Sequence, residues 1–445
     1  MPITPVISSI ARRSFGANTS PSFSLSSASC ILFLGIFAIS STMANDNAKA
    51  VVAGNNRITG QLYQHIAEDN ENLIFSPLSV HTVLSLVYQG AAGSTEAAFK
   101  NVLGVPDKLK TAEGYQSVMA QLNNVANVTL EIANQVYVKN GYRMKPQFKE
   151  VATKQFAAGA ENIEFTAPTA AKTMNTWVEQ RTKDKIKDLI KQEDLDADTR
   201  MVLINAVYFK GNWADQFNKD LTRPDKFFIS ETETVPCQMM FRNGKYRYKD
   251  DSALDAQVIE LPYKNPALSM IVILPKSKTG IKELEKKLAK LDLATVTKDM
   301  YSVEVDLSLP KFKIESTIQL NEPLQKLGLG EAFSGAANFS DLLESSEPLK
   351  ISKVVQKAFI EVNEEGAEAA AATGLLMRKK RCLAERFEAS RAFLYYIAYA
   401  SSAEVISDDD DAVLNDQEIL FYGNLYMPSY IDLDVEMVNE LNDEL

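Results

Sequence analysis

The segment EEGAEAAAATGLLMRKKRC, Glu364 to Cys382, constrains this chain more than any other stretch. Alanine is the best helix former, so AEAAAAT would propagate a helix on propensity alone. Yet Gly366 precedes the run, Gly374 follows it, and no large apolar residue appears before Leu375. Such a helix has no face to bury, and most helical stability comes from burying one. Glu364, Glu365 and Glu368 stand at its start, and four consecutive cations, Arg378, Lys379, Lys380 and Arg381, stand beyond it. Whatever the chain folds into must have a use for a smooth, small-side-chain segment that leads to a cationic cluster.

The rest of the chain can build a large core around it. Of 445 residues, 46% are hydrophobic and 9% aromatic, the range of a soluble globular protein. The formal net charge of −11 speaks against nucleic acid or an anionic membrane as partner, since both attract basic surfaces. Only two histidines are present, His65 and His81, so a metal site or a hydrolase triad has almost nothing to draw on, and no GxSxG elbow occurs. Both lie in apolar-periodic segments and read as hydrogen-bonded structural histidines. No cofactor is implied. Three cysteines, Cys30, Cys237 and Cys382, make no disulfide framework.

The two ends suggest an address. No acidic residue precedes Asp46, and CILFLGIFAIS, Cys30 to Ser40, is too short to span a bilayer but suits the apolar region of a signal peptide. Residues 1–44 therefore read as a cleaved leader and 45–445 as the mature chain. An Arg- and Ser-rich leader also fits a mitochondrial transit peptide, and translation from Met43 would remove it. The chain ends Asn442-Asp443-Glu444-Leu445, one substitution from the KDEL and HDEL retrieval signals. Such a tail matters only to a protein that entered the secretory pathway, so the endoplasmic reticulum lumen is the expected location. The sequons at Asn127 and Asn338 fit that route as glycosylation sites.

Helical periodicity comes first, in VVAGNNRITGQLYQHIAED and in the run opened by Ser76-Pro77. Strand patterns follow in VTLEIANQVYVK, MVLINAVYFKGNW, MIVILP, VEVDLSLPKFKIES, KAFIEVNEE, FLYYIAYA and EILFYGNLYM. Helices and strands gather in blocks, which predicts an α+β fold and not a regular βαβ series. The acidic stretch from Ser407 to Glu418 reads as a solvated loop, without the spacing of a calcium loop.

Six stretches, taken in order, carry a family resemblance: NLIFSPLSV from Asn72, GAAGSTEAAF from Gly90, LINAVYFKGNW from Leu203, LPKFKIES from Leu309, VVQKAFIEVNEEGAEAAAAT from Val354 and ILFYGNLYMP from Ile419. Together they resemble the serpins, the serine protease inhibitor superfamily, from about Asn47 to Pro428, and an insect-type member in particular. The resemblance implies one integrated domain of three β-sheets and about eight or nine helices, acting as a monomer, with an exposed reactive-centre loop over about 364–387. A protease cuts that loop. The segment before the cut then enters the central sheet as a new strand and carries the acylated protease with it.

That mechanism gives the small-residue run a use. Side chains of an inserted strand alternate between two covered faces, so bulk or charge would stall entry. Ala367, Ala369, Ala370, Ala371, Ala372 and Thr373 fit either face, and Gly366 lets the hinge turn at φ values other residues resist. By motif, Ser76, Ser79, Asn205 and Gln356 match the shutter where the sheet opens, and Trp213 the breach at its top. Gln356 stands where the family often has His, Ala367 where Thr or Ser is usual, and Asn424 where Arg is usual.

The loop sequence at the cut is the bait. Arg378-Lys379-Lys380-Arg381 fits the Arg-X-Lys/Arg-Arg pattern of furin-like subtilisin proprotein convertases, whose acidic clefts reward each arginine–carboxylate pair. Trypsin-like enzymes, papain-like enzymes, and a non-inhibitory luminal chaperone of collagen type are the alternatives. Family loop length puts the reactive bond between Lys380 and Arg381, whereas the convertase pattern puts it between Arg381 and Cys382. A convertase pocket prefers the forked guanidinium, which favours the latter.

Overall fold

The computed structural model describes residues 27–345, 347–365, 384–400 and 417–428, with side chains described from residue 46 onward. Leader residues 1–26, the loop residues 366–383, the acidic residues 407–416 and the Asn442–Leu445 tail lie outside the description.

In chain order the elements are α1 (Ser27–Ile66), β1 (Leu73–Phe75), α2 (Pro77–Gly90), α3 (Gly93–Leu103), α4 (Lys108–Leu122), β2 (Val128–Lys139), α5 (Pro146–Gln155), β3 (Gly159–Ile163), α6 (Ala170–Arg181), β4 (Met201–Gly211), β5 (Arg223–Phe228), β6 (Thr234–Asp251), β7 (Ala256–Pro262), β8 (Leu268–Pro275), α7 (Ile281–Leu288), β9 (Tyr301–Pro310), β10 (Phe312–Gln319), α8 (Asn321–Leu324), β11 (Lys353–Val362), β12 (Glu385–Glu388), β13 (Phe393–Ala400) and β14 (Gln417–Leu425). The chain divides into two units, Met1–Met43 and Ala44–Leu445, and every strand belongs to the second.

One sheet has five strands in the order β10-β11-β4-β2-β3. Its central pair, β11 and β4, runs parallel, in register from Lys353 opposite Val202 to Ile360 opposite Phe209. The other ladder follows β1-β14-β13-β8-β7-β6-β9-β12, with β5 on β6. Strand β6 is 18 residues long, and pairs with β7 through Arg247–Asp251 and with β9 through Met239–Tyr248. The long ladder is thus two sheets sharing β6, which gives three sheets and, among the described residues, eight α-helices.

Strands β8 and β14 are buried at every position, which is why they read as unbroken apolar runs and not as alternating ones. Helix α2 is buried everywhere except Gln89. It starts where Pro77 can tolerate the missing N–H and where Ser76 caps it, its Oγ accepting from Ser79 N at 3.2 Å. A second apolar cluster lies under α6: Met174 and Val178 pack with Tyr137 of β2, Ile204 and Tyr208 of β4, and Val355 and Phe359 of β11. Helix α6 lies over β2, and the segment after it reaches the β4–β11 seam, where Lys187 O accepts from Lys357 Nζ of β11 at 2.8 Å and Asp194 pairs with Lys353 at 3.1 Å.

Two expectations need correction. His65 is exposed in the last turn of α1 and stands outside the core. His81 is buried, with Nε2 3.0 Å from the Leu103 carbonyl and Nδ1 against the Tyr115 hydroxyl, and burial pushes it down to about 4. The acidic stretch also ends sooner than its composition suggested. Gln417 and Glu418 are buried in β14, and burial raises Glu418 to about 8, with no countercharge beside it among the described residues.

Candidate functional site: the seam and its latches

Three amides line up across adjacent strands. Asn134 of β2 stands opposite Asn205 of β4, and Asn205 opposite Gln356 of β11. Gln356 Nε2 donates to Asn205 Oδ1, so one side-chain hydrogen bond crosses the seam directly. The first turn of α2 reinforces it from above. Ser76 N donates to Gln356 Oε1 at 2.9 Å, and Gln356 Nε2 donates to Ser76 O at 2.9 Å. Ser76 Oγ donates to Leu420 O of β14 at 2.6 Å. On the other bank, Asn205 Nδ2 donates to Ser79 Oγ and to Asn134 Oδ1, and Ser79 Oγ donates to Asn134 Oδ1 at 3.0 Å. One helical turn therefore grips β11 through Ser76 and β4 with β2 through Ser79. All five side chains are buried, so these bonds are made in a low-dielectric interior where an unmade one is expensive.

Gln356 does this without titrating. It offers both a donor and an acceptor to Ser76 and keeps a second donor use for Asn205, which a neutral imidazole with one donor could not match.

The seam ends at the hinge. Trp213 follows β4, is 4% exposed, and stacks on Tyr263 with centroids 4.6 Å apart and planes at 8°. Its Nε1 donates to Asn363 O at 2.9 Å, just past β11. Phe217 N donates to Glu364 O at 3.0 Å, and Gln216 Nε2 to Glu365 O at 3.1 Å. The two hinge glutamates are then held by lysines from opposite banks: Glu364, nearly buried, by Lys311 at 3.2 Å, and Glu365 by Lys219. The Glu365 carboxylate raises the Lys219 ammonium above its usual range. The path from β11 to residue 365 is thus fixed by indole, backbone and charge before the Ala-rich segment begins.

The structure brings Ser76, Ser79, Asn205 and Gln356 into one network and places Trp213, Glu364 and Glu365 together at its upper end. Gly366, Ala367, Glu368, Ala369 to Thr373, and Arg378 to Cys382 lie outside the described residues. Asn127 and Asn338 are exposed, and Asn127 takes a left-handed φ of 63°. Sequence reasoning missed Asn134, Lys311, Lys219 and Gln216. Asn134 carried a readable signal, a polar side chain at an inward position of an alternating strand; the other three are distant in sequence and had none. Asn424 now has an account: its Oδ1 accepts from Leu73 N at 2.8 Å and its Nδ2 donates to Tyr63 Oη at 2.6 Å, tying β14 to β1 and α1.

What the seam can do follows from its pairing. A strand entering from the hinge would run antiparallel to both β11 and β4. It would replace one parallel pairing with two antiparallel ones, the more stable kind per residue.

Comparison with known proteins gives the family. The family pattern described as serpin (serine protease inhibitor) matches residues 53–407. Antitrypsin of Bombyx mori is 37% identical over 374 residues, covering 82% of this chain and 95% of its own. Serine protease inhibitor 42Dd of Drosophila melanogaster is 37% identical over 348 residues, covering 77% and 92%. The crystal structure of Serpin48 from Tenebrio molitor superposes with a TM-score of 0.74 at 32% identity, covering 86% of this chain and 99% of that one. The chain belongs to the serpin family, as a protease inhibitor and not an enzyme.

Proposed function

We propose that this serpin traps furin-like subtilisin proprotein convertases as covalent acyl-enzymes, inside the secretory pathway and retained there by its Asn442–Leu445 tail. The observation that carries the target is the run Arg378-Lys379-Lys380-Arg381 in the loop, which meets the convertase pattern at every position. Each cation can pair with a carboxylate of an acidic cleft, and Arg381 fits the pocket before the cut better than a lysine would. Cys382 is small enough to stand beside the nucleophile. The parallel seam, with its hinge held at Glu364 and Glu365, supports capture by insertion over simple blocking.

The deciding experiment incubates the full chain with purified furin, followed by denaturing gel electrophoresis and mass spectrometry of the released peptide. A denaturant-resistant one-to-one complex and a C-terminal fragment beginning at Cys382 are expected. Arg381→Ala should abolish convertase inhibition and Arg378→Ala weaken it. A complex with trypsin but none with furin would sink the convertase target. A fragment beginning at Arg381 would move the reactive bond to Lys380. Removal of the last four residues should send the protein from cell to medium. Equal secretion of full-length and shortened chains would refute retention.

A further inference from the structure

Gln135 of β2 is the anomaly of the second apolar cluster. It is completely buried, and neither its Oε1 nor its Nε2 has a hydrogen-bond partner among the described residues. Its neighbours on the same face are Ala133 and Tyr137 along the strand and Ile204 across it, all members of the layer that α6 covers. Across the sheet on the other side stands Gly159 of β3. A Cβ at Gly159 would collide with the Gln135 amide, so the glycine makes the room the amide occupies. A glutamine of this volume could be replaced there by an apolar side chain without loss of packing, and that exchange would remove two unmet hydrogen-bonding groups.

The same layer is what an incoming strand must divide. Tyr208 of β4 stacks on Phe359 of β11 with centroids 5.5 Å apart, directly over the seam, and Met174 and Val178 of α6 belong to the same cluster. Once β4 moves away from β11, β2 and β3 move with it, and the contacts under α6 are remade. An amide buried without a partner raises the free energy of the closed layer. It regains partners as the layer loosens, so the closed state is penalised more than the opening one.

We infer that Gln135 is a positioning residue for loop insertion, one that weakens the hold of α6 on the closed sheet and so lets insertion outrun release of the protease. This rests on the reading that the loop inserts. Its effect acts through the α6 layer and not through any contact with the protease.

The test compares wild type with Gln135→Met and the smaller Gln135→Leu, all as full chains. A synthetic peptide of the sequence Ala367–Leu376 is offered to each, and its uptake is followed by the appearance of a denaturant-resistant form. Thermal midpoints are measured in parallel, together with moles of inhibitor consumed per mole of furin or trypsin trapped. Both variants should melt higher than wild type and take up peptide at least about fivefold more slowly, the factor expected from removing one unmet buried polar group. Both should consume more inhibitor per protease trapped, while first encounter with the protease keeps its wild-type rate. Variants that melt lower than wild type, or that take up peptide at the wild-type rate, overturn the inference, because the amide is then a stabilising contact or irrelevant to opening. A wild-type chain that takes up no peptide overturns it as well. If wild type takes up peptide but traps no protease, the proposed function fails, while the peptide rates still decide the role of Gln135.

Discussion

The two ladders of this molecule handle polar groups in opposite ways. The long one, through β13, β8 and β7, pairs antiparallel and is filled by side chains such as Ile271, Tyr395 and Tyr396, all fully buried. The five-stranded sheet carries a row of amides, Asn134, Asn205 and Gln356, through its middle, and its central pair is parallel. Apolar packing is non-directional and resists every displacement alike. A hydrogen-bonded row resists only until its few bonds are exchanged. The first arrangement suits a scaffold that stays closed, and the second a joint that opens along one line.

The largest effect should come from jamming that line. Ala367→Arg would drive a guanidinium into a covered sheet position without a partner, at a cost of at least several kcal/mol. It is expected to turn the inhibitor into a substrate that is cut without trapping the protease. Unchanged stoichiometry of trapping by this variant would rule out insertion at that position.

A cut in the scaffold should behave differently. Ile271→Ala removes a fully buried side chain from β8 and should cost about 2–5 kcal/mol of global stability. Below its melting range the surviving folded protein should trap protease with wild-type stoichiometry. A rise in stoichiometry at that temperature would show that the long ladder takes part in opening.

Glu418 sharpens the comparison by pH. Burial raises its folded pKa to about 8, from 4.5 in an unfolded chain. Between those values the native state keeps a proton that the unfolded state has lost, so stability falls as pH rises through this window. Glu418→Gln should remove that fall, and gain roughly 2–4 kcal/mol over wild type above pH 8 with little gain below pH 4.5. His81 works the other way: depressed from 6.5 to about 4, it withdraws stability as pH drops through that range. Urea midpoints across pH check both slopes. Parallel curves for wild type and Glu418→Gln would mean that the carboxyl has a partner.

Gln356→Ala should be the mildest, about 1–3 kcal/mol, because it leaves the buried Ser76 N–H and Asn205 Oδ1 each short of a partner. Its signature is faster peptide uptake at the seam with the long ladder intact. A variant that melts lower but takes up peptide no faster would show that the latch does not control opening.

Much of this division was readable in the chain. β8 and β14 announce themselves as apolar runs, β9 and β10 as alternating ones, and Ser76-Pro77 as a helix start. Ser76, Ser79, Asn205 and Gln356 of the latch were found by motif, since nothing in local periodicity singles out Gln356. What stayed hidden was set by distance along the chain. Lys311 and Lys219 reach the hinge glutamates from 53 and 146 residues away. The acidic stretch misled for the opposite reason, because composition averages over Glu418 and a strand can turn one carboxylate inward at its first residues.

The indole at the head of the seam has an optical consequence. The chain has only two tryptophans, Trp177 on the α6 strap and Trp213 at the hinge. Emission from an indole depends on its polarity and hydrogen bonding, and Trp213 is held by a ring stack and by the Asn363 carbonyl that any hinge opening must disturb. The protein therefore carries its own fluorophore at each place where opening would be felt. With Trp177→Phe the hinge could be followed alone, and with Trp213→Phe the strap alone, so stopped-flow traces of the two variants would give the order in which hinge and strap let go.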